Sequence, residues 1–210
     1  MSTVVLIRHG ETEWNRRGLY QGQLDSPLTE TGVRQARSLA ARLGKGHFSC
    51  LVSSDSGRTR RTAELIAETT GLELQTDPRL RERHLGIFQG LVKTEIATRF
   101  PEEYEAYARG AADYAIPDGE SAHQVQDRMV KCLNEWREDG RRRIVVSHGG
   151  ALNVLLRYVL GLSLSGLRPF KLFNTAYNRI VFEDDRWQVE TLGDISHLEG
   201  LNARDEETSG

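Results

Sequence analysis

Two short apolar runs that end in the same way limit the possible folds of this chain more than any other feature. VVLIRHG occupies residues 4–10 and IVVSHGG occupies residues 144–150, so each run leads into a histidine followed by glycine. Continuous apolar runs rich in β-branched residues are typical of strands buried on both faces of a parallel sheet. The sequence therefore predicts a covered sheet in which two strands end at His9 and His148.

Helical patterns alternate with the predicted strands. One helix is predicted to begin after Thr29 and to end at Gly44, and a second should follow a short strand at residues 50–53. A third is predicted over residues 122–136, where apolar side chains recur at steps of three and four. The alternation predicts an α/β three-layer sandwich with a mainly parallel central sheet and helices on both faces.

Two further segments refine this architecture. Residues 176–192 contain two apolar runs around EDDR and predict a hairpin, so the sheet should have an antiparallel edge. Residues 91–140 are largely helical in pattern and predict a small helical cap together with the packing helix. A length of 210 residues fits a single domain at 1–200, and the polar, acidic residues 201–210 predict a disordered tail.

Composition narrows the classes of partner. A formal net charge of -2, with 28% charged and 38% apolar residues, gives no electrostatic basis for binding nucleic acid or membranes. No apolar run is long enough to cross a bilayer and no signal segment opens the chain, so a cytoplasmic protein is expected. The two cysteines form neither a disulfide framework nor a metal motif.

The charged residues at the predicted strand ends indicate an anion site. The carboxyl ends of parallel strands converge on one crevice, which should bring His9 and His148 together with Arg8. Arg58 opens the helix that follows the second strand and should face the same crevice. Two guanidinium groups and two imidazoles form a pocket suited to a small, doubly charged anion such as phosphate.

Glu82 is the candidate proton donor for chemistry in this pocket. It lies in a glycine-bearing loop between Arg81 and Arg83, which is predicted to lie near the surface. From spacing alone, an ordinary surface ion pair with these arginines is the favoured interpretation.

Four segments carry a family resemblance. RHGET at residues 8–12, SSDSGRTRRTA at 53–63, ERHLGIFQG at 82–90 and SHGG at 147–150 resemble, in order, the four signatures of the histidine phosphatase superfamily. That superfamily includes the cofactor-dependent phosphoglycerate mutases. The similarity runs from Val4 to about Leu198, nearly the whole chain.

The resemblance implies a role for each matching residue. His9 would be the nucleophile that becomes phosphohistidine, and Glu82 would move the proton. Phosphoryl binding would fall to Arg8, Arg58 and His148, and substrate binding to Asn15, Gln21, Gly22 and Gly149. Positive charges nearby should keep His9 neutral, and its second ring nitrogen should donate to a backbone carbonyl that fixes the tautomer. This chemistry requires neither a metal nor a cofactor.

Hydrolysis of a small phosphate ester is the first functional hypothesis, and mutase activity is the alternative. A mutase needs additional cations around the non-reacting end of its intermediate, yet the stretch at residues 91–114 offers only Lys93, Arg99 and Arg109. Leu85 also stands where otherwise similar mutases have tyrosine. Both departures favour hydrolysis.

Two further hypotheses belong to other classes. His9, His148 and Glu82 could form a metal site with two histidines and one carboxylate, although adjacent arginines would repel a divalent cation. The chain could also be a phosphate-binding module without turnover, although all core positions of the family are intact. The expected partner is a small phosphate ester, and the assembly state stays open, with a homodimer as one candidate.

Overall fold

The structure is a computed structural model that describes residues 1–44, 47–166 and 168–201. The strands are β1 (Ser2–Arg8), β2 (Cys50–Ser53), β3 (Leu74–Thr76), β4 (Arg142–Ser147), β5 (Tyr177–Glu183) and β6 (Arg186–Asp194). The helices are α1 (Glu13–Arg16), α2 (Glu30–Leu43), α3 (Gly57–Thr70), α4 (Lys93–Arg99), α5 (Pro101–Ala108), α6 (Ala122–Trp136) and α7 (Gly149–Val159). Residues 202–210 of the predicted tail lie outside the described residues.

The six strands form one sheet in the order β3-β2-β4-β1-β5-β6. Strands β1 to β4 pair in parallel, and β5 and β6 add an antiparallel edge beside β1. The predicted mainly parallel sheet with an antiparallel hairpin is therefore confirmed. Thr29 caps α2 by accepting a hydrogen bond from the backbone N–H of Gly32, as its position before the apolar pattern indicated.

Both faces of the sheet are covered, as the continuous apolar strands require. Side chains alternate across a strand, so Val4 and Leu6 of β1 pack with α6 and α7, whereas Val5 and Ile7 pack with α2 and α3. All four β1 side chains are fully buried. This arrangement confirms the three-layer sandwich.

A third apolar cluster lies beside the sandwich. Phe88 and Ile96 are fully buried in it, and aromatic side chains of α5 pack against them. The segment after Glu82 is the loop that the sequence predicted, half-buried except at Leu85 and Phe88, which belong to this cluster. The backbone of this segment is irregular apart from one short 3-10 turn at Gly86–Phe88. Its apolar side chains are held by packing in the cluster.

The register of β1 against β4 positions the predicted site. Arg8 is paired with Ser147, so His9 and His148 each follow directly after the last paired residues at the same edge of the sheet. The backbone N–H of His9 donates to the Ser147 carbonyl at 3.0 Å. In the part of the chain that the structure describes, no helix combines the length and apolar character needed to cross a bilayer.

Candidate active site

His9 is held in one orientation at the end of β1. Its ring is 3% exposed, and Nδ1 lies 2.8 Å from the Gly10 carbonyl oxygen. That contact confirms the predicted backbone partner and assigns the proton to Nδ1, because a carbonyl can only accept. Nε2 then carries the lone pair of the ring, which accepts a hydrogen bond from Arg58 Nε at 3.3 Å. Burial, followed by the charges of Arg58 and Arg8, holds the pKa of His9 well below its ordinary value.

Arg58 is almost fully buried and is fixed by several acceptors. Its Nε donates to His9 Nε2 at 3.3 Å, while its terminal nitrogens donate to the Gly22 carbonyl at 2.7 Å, the Leu24 carbonyl at 2.6 Å and the Asp25 carboxylate at 3.1 Å. These bonds aim the guanidinium at the reactive nitrogen of His9. The sequence analysis did not identify Asp25, because nothing in its local pattern indicates a partner 33 residues away.

His148 lies beside His9 and completes the buried pair of imidazoles. The two ring centroids are 5.4 Å apart, and His148 Nε2 lies 3.0 Å from the Ser54 hydroxyl oxygen. Its Nδ1 is buried without a hydrogen-bond partner among the described residues. Burial, followed by the charge of Arg58, lowers the pKa of His148 well below its ordinary value. A neutral ring with an unpartnered nitrogen can contact a ligand.

Arg8 and Gly149 adjoin this pair. An Arg8 terminal nitrogen donates to the Leu172 carbonyl at 2.8 Å, and the Arg8 side chain lies against the start of α7. A Cβ atom at Gly149 would lie 3.3 Å from Arg8 Nε. Glycine at this position therefore lets the guanidinium approach the helix.

Glu82 is bound at the amino end of α7, which excludes the surface ion pair. Its carboxylate accepts the backbone N–H groups of Gly150 at 2.9 Å and Ala151 at 2.8 Å, and also that of Arg83 at 2.8 Å. A Cβ atom at Gly150 would lie only 2.6 Å from a Glu82 carboxylate oxygen, so glycine is required for this contact. The first turn of a helix favours a carboxylate in this position.

Arg128 of α6 clamps the backbone on which Glu82 stands. Its guanidinium donates to the carbonyls of Arg79 and Arg81 at 2.6 Å and to that of Glu82 at 2.9 Å. The same group is paired with the Glu120 carboxylate at 3.0 Å. An arginine on a predicted amphipathic helix carries no sequence signal for such a role, since the contact depends on how the helix packs.

The remaining predicted binding residues lie around one cavity of about 290 Å³. Its lining includes Asn15, Gln21, Gly22 and Gly149 together with Arg8, His9, Arg58 and Glu82. His148 is fully buried beside His9 and is not among the lining residues. Gly22 adopts a φ of +53°, which favours glycine and turns its carbonyl toward Arg58.

The lining also includes arginines that the sequence analysis did not find. They are Arg83, Arg157 and Arg168, whereas Lys93, Arg99 and Arg109 are not among the lining residues. Residues 91–114 thus supply no cation to the cavity, and the additional positive charges come from three other segments of the chain. Leu85 lines the cavity too and is 4% exposed.

The metal hypothesis required His9, His148 and Glu82 to act as one set of ligands. Within residues 1–44, 47–166 and 168–201, no group of three or more histidine, cysteine, aspartate and glutamate side chains is placed to hold a metal ion. Glu82 instead accepts backbone N–H groups, and Arg58 donates to His9.

The order of the four signatures and this geometry agree with a comparison against known families. The sequence profile of the histidine phosphatase superfamily (branch 1) matches residues 4–195. The chain belongs to the histidine phosphatase superfamily. Membership identifies it as an enzyme of the histidine phosphatase and phosphoglycerate mutase family, whose members process phosphate esters.

Relatives of this histidine phosphatase superfamily member include one named as a probable mutase and one named as a phosphatase. It is 41% identical over 206 residues to "Probable phosphoglycerate mutase GpmB" of Serratia proteamaculans (strain 568), covering 95% of this chain and 96% of the relative. The solved structure of Bacillus stearothermophilus YhfR is similar with a TM-score of 0.89 and 32% identity, covering 94% of this chain and 100% of that one. A mycobacterial glucosyl-3-phosphoglycerate phosphatase is similar with a TM-score of 0.79 and 33% identity, covering 91% and 98%.

The two buried imidazoles lead to a prediction about acid stability. Because the pKa values of His9 and His148 are lowered in the folded enzyme, only the unfolded chain binds these protons just below about pH 6.5. Unfolding then takes up protons, so the free energy of unfolding should fall as the pH drops, by about 1.4 kcal/mol per pH unit for each histidine. Urea unfolding between pH 7.5 and 5.0 measures this slope.

Two variants separate this effect from general acid sensitivity. His148→Gln should reduce the slope of the free energy of unfolding against pH by the contribution of one proton, about 1.4 kcal/mol per pH unit. His47→Gln, which removes an exposed histidine, should leave this slope unchanged. A free energy of unfolding that stays constant from pH 6.5 to 5.5 would contradict the prediction.

Proposed function

We propose that this enzyme hydrolyses small phosphomonoesters through a phosphohistidine formed on His9. The observation that carries the proposal is the fixed state of this side chain. It is buried beside Arg58 and Arg8, with Nδ1 committed to the Gly10 carbonyl and Nε2 left as the basic atom. A neutral imidazole oriented by a backbone acceptor is a competent nucleophile toward phosphorus.

In the first step, Nε2 of His9 forms a bond to phosphorus while the bond to the ester oxygen breaks. Arg58 and Arg8 stabilise charge on the equatorial oxygens of the transferring group, and His148 offers its unpartnered Nδ1 to the same group. Glu82 gives a proton to the departing alcohol oxygen. The products are the free alcohol, phosphohistidine and a Glu82 carboxylate.

In the second step, water attacks the phosphorus of phosphohistidine. The Glu82 carboxylate takes one proton from that water, the phosphorus–nitrogen bond breaks, and the electron pair returns to His9 Nε2. Inorganic phosphate leaves, and Glu82 is again protonated for the next turnover. The contacts from Gly150 and Ala151 keep this carboxylate at the cavity wall.

The residues of α4, α5 and the loop after Glu82 favour hydrolysis over the mutase reaction, in which the phosphoryl group is transferred back to the substrate. Leu85 presents an apolar wall where a mutase-type tyrosine would offer a hydroxyl, and α4 and α5 contribute no arginine or lysine to the cavity lining. Mutase activity remains the second candidate. It is supported by the additional arginines Arg83, Arg157 and Arg168 in the cavity lining and by the 41% identity to the relative from Serratia.

One panel of substrates decides between these activities. The enzyme is incubated with phosphorylated metabolites, scored for phosphate release, and with 3-phosphoglycerate in the presence and absence of 2,3-bisphosphoglycerate. We expect phosphate release without isomerisation of phosphoglycerate. Isomerisation that depends on the bisphosphate would replace hydrolysis by the mutase activity, and the absence of both would indicate a binding module without turnover.

A further inference from the structure

The peptide group that joins His9 to Gly10 is held at both of its polar atoms. The His9 carbonyl oxygen accepts a hydrogen bond from Asn174 Nδ2 at 2.7 Å. The Gly10 backbone N–H donates to the Thr62 hydroxyl oxygen at 3.1 Å. Thr62 is fully buried and Asn174 is 1% exposed. Because a peptide group is planar, these two bonds on its opposite edges fix its orientation.

The orientation of this peptide group affects the state of the His9 ring. The next carbonyl along the chain, that of Gly10, lies 2.8 Å from Nδ1 and accepts its proton. The partner of one imidazole nitrogen sets which nitrogen is protonated and where the other points. The peptide group after His9 therefore helps to determine both the tautomer of the ring and the direction of Nε2.

Asn174 reaches His9 just beyond Ile7, the last residue of β1 that pairs with β5. There the backbone N–H of Thr175 donates to the Arg8 carbonyl at 2.9 Å. The Asn174 side chain then occupies the next position by donating to the His9 carbonyl. A side-chain amide thus extends the hydrogen bonds between these two chain segments as far as the nucleophile itself.

Thr175 adopts a backbone conformation that a β-branched residue rarely takes. Its φ is +57°, in the left-handed region, and the residue is fully buried. Such residues persist where surrounding contacts impose the conformation, and they concentrate at functional sites. Here the contacts are the bond to the Arg8 carbonyl and a hydroxyl oxygen 3.2 Å from His197 Nε2. The strained residue beside Asn174 therefore points to a constraint on the end of β1.

Thr62 connects the same peptide group to the helix that carries Arg58. The Thr62 hydroxyl donates to the Arg58 carbonyl at 2.8 Å, one turn earlier in α3, while it accepts from Gly10. Arg58 Nε in turn donates to His9 Nε2 at 3.3 Å. Helix α3 thus contacts the reactive nitrogen through one residue and the backbone of the nucleophile through another.

We propose that Thr62 and Asn174 are positioning residues for His9. They hold the peptide group between His9 and Gly10 so that the ring keeps its proton on Nδ1 and presents Nε2 to phosphorus. The catalytic part of this inference rests on the proposed function, whereas the single tautomer does not depend on it. An error of about 1 Å in the position of a reacting group can lower a rate by about 10².

Asn174→Leu and Thr62→Val test the two anchors, because each removes one hydrogen bond to the peptide group with little change in side-chain size. We expect kcat with 4-nitrophenyl phosphate to fall by about 10- to 100-fold in each variant. The Kd for inorganic phosphate should stay within about threefold, since Arg8 and Arg58 remain. Steady-state kinetics and calorimetry measure the two quantities.

Two matched controls remove the same kinds of bond elsewhere. Asn178→Leu breaks the bond from another buried amide to a β1 carbonyl, that of Leu6, at 3.0 Å. Thr70→Val breaks the bond from another α3 hydroxyl to the Ile66 carbonyl at 2.9 Å. Both controls should lower the melting temperature and keep kcat within about threefold. A loss of kcat in a control equal to that in its partner variant would assign the effect to packing and overturn the positioning role.

Nitrogen-15 spectra of protein labelled at histidine report the tautomer without any turnover. The His9 signals are those missing from His9→Asn. In the unaltered protein we expect a protonated Nδ1 and an unprotonated Nε2. In Asn174→Leu and Thr62→Val the two nitrogen shifts should move toward each other as the tautomers mix. An unchanged tautomer in either variant, or an unchanged kcat, would overturn the positioning role of that residue.

The spectra also separate failure of this inference from failure of the proposed function. If the unaltered protein hydrolyses no ester, the proposed hydrolysis is contradicted, and the tautomer alone decides the positioning role. If Asn174→Leu does not fold, the pair Asn174→Ser and Asn178→Ser replaces the leucine pair, because a serine hydroxyl is too short to reach the same carbonyl. Hydrolysis at the unaltered rate in Asn174→Ser would contradict the role of Asn174 and leave the proposed function intact.

Discussion

His9→Asn is expected to abolish turnover of every phosphomonoester, by a factor on the order of 10⁶, as for the nucleophile of a covalent enzyme. An asparagine side chain has no basic nitrogen that could form the bond to phosphorus. Binding of inorganic phosphate should persist, because Arg8 and Arg58 remain. Rapid quenching with a 32P-labelled ester into alkali should yield an acid-labile phosphoenzyme from the unaltered protein and none from the variant.

The control for His9 is His47→Asn, which removes an exposed histidine outside the cavity and should retain both turnover and the phosphoenzyme. Calorimetry with inorganic phosphate shows whether His9→Asn still has a formed binding site. An acid-labile phosphoenzyme in His9→Asn would assign the nucleophile to another side chain and refute the proposed mechanism.

Glu82→Gln is expected to lower kcat by a factor of about 10² to 10⁴ while preserving phosphate binding. The carboxamide oxygen can still accept a hydrogen bond from Gly150 or Ala151, so the loop should keep its place, but the group can no longer carry a proton. The loss should be largest for alkyl phosphates. With 4-nitrophenyl phosphate it should be smaller, because that leaving group departs without protonation.

Glu13→Gln is a suitable control for Glu82, because Glu13 forms an exposed pair with Arg16 at 2.6 Å and does not line the cavity. Steady-state rates with both ester classes give the comparison. Full activity in Glu82→Gln, or an equal loss for the alkyl and nitrophenyl esters, would remove Glu82 from the role of proton donor.

The catalytic end of this site was accessible from sequence because its residues are tied to regular elements. His9 and His148 follow strands whose apolar runs leave little freedom, and parallel strands end at a common edge. Arg58 lies in the first turn of the helix after β2, so its position depends on the same rule. Each of these constraints acts within a few residues of the side chain, so the local sequence pattern was sufficient to predict where His9, His148 and Arg58 lie.

The partners of these residues were not accessible. Asp25 and Ser54 reach Arg58 and His148 through contacts between separate segments, and Arg128 reaches the Glu82 loop from α6. No helical or strand periodicity in the sequence relates residues of separate segments. From spacing alone Glu82 fitted an exposed ion pair better, and only the packing of the cap placed its carboxylate on the first turn of α7.

The sequence alone determined the layered α/β fold, the family, and which histidines and arginines meet at one edge of the sheet, because those features depend on hydrophobic alternation and on motifs a few residues long. Only the tertiary structure decided that His9 Nε2 faces Arg58 and that Arg83, Arg157 and Arg168 share its cavity. The physical reason is that hydrogen-bond direction and the grouping of like charges depend on how distant segments pack.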